Sequence, residues 1–125
     1  MSGVIHWAQE VGDDWDEVKG ELTRAFEVSR SAAQSDESFV YVVRQDDLIG
    51  RRGAGNAMVA TGLLSAARTA ALEGSKKGWT ANVVAYDEEA DRTSVGVWAQ
   101  MLLDTGDVTG ELVRVGAGHI GKALP

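Results

Sequence analysis

No cysteine occurs in the 125 residues. That excludes disulfides, thiolate nucleophiles and cysteine metal sites, and it leaves the redox environment open. Long apolar runs are missing as well. The longest, such as Phe39 to Val43 or Val83 to Tyr86, fall far short of the roughly 20 residues that a spanning helix needs, so no membrane segment is expected. Met1 to Gln9 has no basic region, no useful apolar core and no small-residue cleavage site. It therefore does not read as a secretory leader, and a cytoplasmic location is expected. Surplus positive charge is absent too: the net charge is −7, with acidic residues spread along the chain, which argues against nucleic-acid and anionic-membrane partners. The basic cluster Arg51-Arg52 lies in a glycine-rich loop and reads as solvated surface. Histidine is limited to His6 and His119, in different segments and without a serine or cysteine partner. Both read as structural or surface residues, and a nucleophilic triad lacks its parts.

What is present describes a single globular domain of 44% hydrophobic content. Val4 to Ala8 reads as a buried strand. A helix follows, capped by Asp13, with Asp14, Asp16 and Glu17 at its positive end and Trp15, Val18, Leu22 and Phe26 at helical spacing, running to about Ala33. Phe39 to Val43, β-branched and aromatic throughout, predicts a strand covered on both faces. Arg44 to Gly55 reads as a loop, and Ala54 to Lys77 as a long helix ended by Gly78, with a stripe of mostly small residues at Met58, Val59, Gly62, Leu63, Ala66, Ala67 and Ala70. Trp79 to Tyr86, Thr93 to Leu103 and Leu112 to Val115 predict a strand, a helix and a strand. This alternation implies an α/β fold, a parallel sheet of about four strands with about three helices on both faces, joined by right-handed crossovers. Trp15, Trp79 and Trp98 fall at core-facing spacings; Trp7 is left open.

Two glycine patterns invite a nucleotide reading. Val113 to Gly121 carries a strand and three glycines, Gly116, Gly118 and Gly121, in the spacing of a dinucleotide fingerprint. That motif needs a following helix, a second strand and an acid some 20 positions on. Only four residues follow Gly121, so no dinucleotide site is expected from it. Gly53-Ala54-Gly55 is a weaker echo, with Met58 where the third glycine belongs. Asp87, Glu88, Glu89 and Asp91 lack the spacing of a calcium loop and read as a solvated, helix-capping turn, as do Asp46 and Asp47.

The order of segments resembles the C-terminal half of the short-chain dehydrogenase/reductase family. Asp14 to Ala33 resembles that family's fourth helix and Phe39 to Val43 its fifth strand. Asn56 to Asn82, with Arg68, Glu73, Gly78 and Asn82, resembles its catalytic helix and sixth strand, and Val108 to His119 its last strand and terminal glycine-rich segment. The resemblance implies a Rossmann-like three-layer sandwich, truncated to its second half, in which Val4 to Gln9 is the fourth strand and Gly116 to Gly121 a structural tail. It implies a tyrosine, a lysine four residues later, a serine and an asparagine as the reacting set. Aligned on Asn82, these positions fall on Asn56, Ala60, Val43 or Arg44, and Glu21. No other placement restores them: Tyr41 and Tyr86 are followed four residues later by Gln45 and Ala90, no lysine lies between Lys19 and Lys76, and no serine between Ser38 and Ser65. The family's usual Pro-Gly after the sixth strand is replaced by Tyr86-Asp87.

These readings predict a non-catalytic protein, without a cofactor or metal, that serves in oligomerisation or binding. The strand at Val4 to Ala8 would lie at the sheet edge, which must be capped by the chain itself or by another chain. A homodimer or higher homo-oligomer is expected through the two long helices, with Leu22, Phe26, Val59, Leu63, Ala67 and Ala70 facing the partner, and a full-length reductase relative is a possible further partner. Two alternatives stand beside this: the substrate-side half of a split NAD(P)-dependent oxidoreductase completed by a partner chain, and a small-ligand binder using the cleft at the C-terminal strand ends.

Overall fold

The best strand of the sequence becomes the centre of the fold. In the computed structural model, which describes residues 3–118, the chain runs β1 (Gly3–Trp7), α1 (Trp15–Gln34), β2 (Ser38–Arg44), α2 (Gln45–Leu48), α3 (Ala54–Ser75), β3 (Ala81–Tyr86), α4 (Arg92–Asp104) and β4 (Leu112–Val115). The four strands form one parallel sheet in the order β1-β2-β3-β4. β2 and β3 hold the middle and are buried along almost their whole length. Strands with both faces covered lose alternation and read as continuous apolar runs, as these do.

Alternate residues of β2 and β3 supply two cores. Phe39, Tyr41, Val43, Val83 and Ala85 meet Val18, Ala25 and Ala32 of α1 and Val59, Leu63 and Ala67 of α3. On the opposite face Val40, Val42 and Val84 meet Val95, Ala99, Leu102 and Leu103 of α4. Each such fully buried valine or phenylalanine contributes about 1.5–3 kcal/mol.

This arrangement corrects one expectation. Every crossover steps across the sheet in the same direction, yet α1 and α3 lie on one face and α4 on the other. The connection β3–α4–β4 therefore has the opposite hand to the other two, and the crossovers cannot all be right-handed. The physical reason is occupancy: α1 and α3 already cover the first face, and the only place where α4 can bury its apolar stripe is on Val40, Val42 and Val84.

Smaller corrections follow from local hydrogen bonding. The cap of α1 is Asp14, which accepts from the Asp16 amide, and not Asp13. Part of the expected loop after β2 coils into α2, closed by the amides of Ile49 and Gly50 on Asp46 and Asp47. Of the tryptophans, Trp79 is buried as expected, whereas Trp15 (56% exposed) and Trp98 (44% exposed) face outward. Both helices satisfy their inward faces with smaller residues at neighbouring positions, Val18 and Ala25 in α1 and Val95 and Ala99 in α4.

The outer edge of β1 pairs with no strand among the described residues. No helix among them is long and apolar enough to cross a membrane.

Candidate functional site

In a parallel sheet the C-terminal strand ends converge, and ligands of open α/β sheets bind in the crevice outside them. Here that end gathers Trp7 and Glu10 from the end of β1 and the turn after it, Arg44 from β2, Tyr86 from β3, Arg52 from the loop before α3 and Arg92 from the start of α4. Together they line a cleft of about 420 Å³, within the roughly 300–1,000 Å³ range of small-molecule sites.

Three guanidiniums share this cleft, in different states. Arg52 is held by two carboxylates: Nε and Nη2 donate to the two oxygens of Asp47 at 2.8 Å each, and Nη1 pairs with Glu10. The Asp47 carboxylate and Glu10, outweighing the effect of burial, hold Arg52 more firmly protonated than usual. Arg44 has only a loose pair with the exposed Glu88, at 3.6 Å. Arg92 lies over Trp7, its Cζ 4.7 Å from the ring centre, and over Tyr86 at 5.8 Å.

The reading of Arg51-Arg52 and Asp46-Asp47 as solvated surface thus holds only for the first of each pair. Arg51 and Asp46 form an outward pair at 3.3 Å. Asp47 is buried and fixes Arg52 in a two-bond fork, because α2 turns the carboxylate toward the loop before α3.

The positions matched to the family's reacting set are dispersed. Asn56 is buried and structural: its carbonyl accepts from the Val11 amide at 2.9 Å and its amide donates to the Arg52 carbonyl at 3.1 Å, tying the turn after β1 to the start of α3. Ala60 and Val43 are packed in the core. Glu21 is fully buried and accepts from His6 Nε2 at 2.7 Å, the Gln9 amide at 3.2 Å and Arg24 Nε at 3.0 Å. Burial alone would raise the Glu21 carboxyl, but the bonds from His6, Gln9 and Arg24 together hold it below its ordinary value of 4.5. Of these residues only Arg44 lines the cleft. Tyr41 does not reach it either, since its hydroxyl donates to the Ala25 carbonyl at 2.8 Å and burial pushes its pKa up.

Both glycine turns are filled by the chain's own aspartates. Asp13 accepts from the Gly55 amide at 3.3 Å at the head of α3, and a side chain on Gly55 would strike the Gly12 carbonyl. Asp87 accepts from the Gly118 amide at 2.6 Å; Gly116, at φ 130°, leaves the room that a side chain would take from this carboxylate. The residue standing where the family has Pro-Gly is therefore the one that occupies the terminal glycine turn. Gly121 and His119 lie outside the described residues. In the acidic turn Asp87 also accepts from Glu89, and Asp91 caps α4 by accepting from Thr93. Among the described residues no three metal-ligating side chains cluster.

The expected subunit contact needs correction. Val59, Leu63 and Ala67 are at most 2% exposed and pack on the chain's own sheet. The most apolar stripe of α3 goes inward because β2 and β3 need cover. Leu22 and Ala70 are half-buried, and Phe26 stands open.

Neither Arg92 nor Trp7 carries a motif that marks it as a cleft residue in the sequence. The available signal was positional: Trp7, Arg44 and Tyr86 each end a strand of a parallel sheet, and the register puts all three on the face of Val42 and Val84.

No family model matches the chain, and no curated protein matches it. Its fold is that of the short-chain dehydrogenases: a crystal structure of a short-chain dehydrogenase from Mycobacterium smegmatis superposes with a TM-score of 0.74 at 19% identity. The match covers 94% of this chain and 59% of that one. The chain therefore spans a little over half the length of its structural neighbour.

Proposed function

We propose that this chain is a non-catalytic domain of the short-chain dehydrogenase fold that works by binding. The observation that carries this reading is Asn56. At the position matched to the tyrosine acid stands a side chain whose oxygen and nitrogen are both committed to backbone groups, with none left for proton transfer to a substrate. Glu21, in the asparagine's place, is likewise committed to His6, Gln9 and Arg24. The glycine turns, which would meet a pyrophosphate through their amides, are satisfied by Asp13 and Asp87. The reading predicts no saturable heat with NADPH or NADH in calorimetry; binding of either would overturn it.

A second reading has its own support in the unpaired outer edge of β1. Open edges template pairing with another chain, and the structural neighbour is longer than this chain. In this reading the chain is one half of a split oxidoreductase. Co-purification with a protein that restores NAD(P)-dependent turnover would favour it over the first. Self-association through the outward sides of α1 and α3, around Phe26 and Met58, is part of the binding reading, and a monomeric mass by light scattering at micromolar concentration would remove it.

A further inference from the structure

We infer that the cleft at the C-terminal strand ends is a binding site for a small organic carboxylate with a flat, unsaturated body, held by Arg44 and Arg92 over the Trp7–Tyr86 platform. The inference deepens the binding reading above and rests on it.

In a chain of net charge −7, a place where guanidiniums outnumber free carboxylates is an exception. The carboxylates around the cleft have partners: Glu10 is taken by Arg52, and Asp91 accepts from the Thr93 amide. Glu88 is 70% exposed and reaches Arg44 only at 3.6 Å; exposed pairs of this kind are worth little and give way to a better anion. Arg92 forms no ion pair among the described residues. Two guanidiniums therefore face one cleft with donors to spare. A planar guanidinium presents its donors as a fork that matches a carboxylate with two parallel hydrogen bonds.

The second observation is the floor. Trp7 and Tyr86 lie with ring centroids 5.8 Å apart and planes tilted by 58°, so they offer an angled aromatic surface. Arg92 already rests on it. The contact with the rings takes up no N–H group in a hydrogen bond, so the N–H edge of the guanidinium stays available. A flat ligand lying beside Arg92 on the same platform would place its carboxylate at that edge. Arg52, locked between Asp47 and Glu10, is a positioning residue that holds the wall of the cleft, its charge already matched by two carboxylates.

The test uses 2-naphthoate as the probe and 2-naphthamide as its uncharged counterpart, titrated into the full chain by calorimetry at low salt. One-to-one saturable binding of the acid is expected, with the amide at least about tenfold weaker. Arg92→Gln and Arg44→Gln should each weaken the acid by about tenfold or more, while Arg51→Gln, outside the cleft, leaves it unchanged. Thermal melts of each variant show whether it is folded. The inference is overturned if the acid does not saturate, if acid and amide bind alike, or if both cleft variants keep the parent affinity. Binding of NADH would instead strike at the non-catalytic reading, so the two failures are separable.

Discussion

Two polar clusters flank β1, one under α1 and one at the strand ends, and they use their charges in opposite ways. Around Glu21 a single buried carboxylate meets His6, Arg24 and the Gln9 amide, so the group that burial penalises most is satisfied. In the cleft the surplus runs the other way, with Arg44 and Arg92 offering more donors than the chain's own carboxylates take up. A buried charge stripped of its partners is expensive, whereas an exposed one stays solvated until a ligand arrives. The filled cluster belongs to the fold, and the unfilled one is free to bind.

The comparison breaks first at Glu21. Glu21→Ala should lower stability by about 3 kcal/mol in urea unfolding, because it removes the one acceptor that serves the Gln9 amide, Arg24 and the His6 ring together. A loss no larger than that of an exposed glutamate, such as Glu27→Ala, would show the cluster to be incidental. Acid sharpens the same point. Since the folded chain holds this carboxyl below 4.5, its stabilisation is complete above that pH and disappears as pH falls through the folded-state value. Glu21→Gln should therefore show a flatter loss of stability between about pH 5 and about pH 3 than the parent.

A smaller effect is expected at the filled glycine turn. Gly55→Ala drives a methyl into the Gly12 carbonyl, and a loss of about 2 kcal/mol in the same measurement is expected. The smallest effect belongs to the cleft. Arg92→Gln should change stability by no more than about 0.5 kcal/mol, since its guanidinium is exposed and makes no ion pair among the described residues. A larger loss would move Arg92 to the structural side of the comparison.

Much of the architecture was legible in the residues. Phe39 to Val43 and Val83 to Tyr86 announce their strands because strands buried on both faces read as near-continuous apolar runs. α3 is marked by its alanine and leucine content and by Gly78, whose amide closes the helix end on the Gly74 carbonyl. The site was less legible. Arg44, Arg92, Trp7 and Tyr86 are scattered over 86 positions of sequence, and no spacing rule joins residues that only the sheet register brings together. Trp15 and Trp98 misled because periodicity assigns a residue to a helix face without saying how wide the covered stripe is.

The chain's own residues determined the alternation of strands and helices, the absence of cysteine chemistry and the lack of a lysine four residues after either tyrosine, since these depend on local pattern and residue type alone. Tertiary structure decided the rest. It put α4 on the face that α1 and α3 left open, turned Val59, Leu63 and Ala67 toward the sheet, and set Asp13 and Asp87 into the glycine turns. Each of these outcomes depends on which surface or hydrogen-bonding group is still unoccupied when distant segments meet, and that competition has no local signature in sequence.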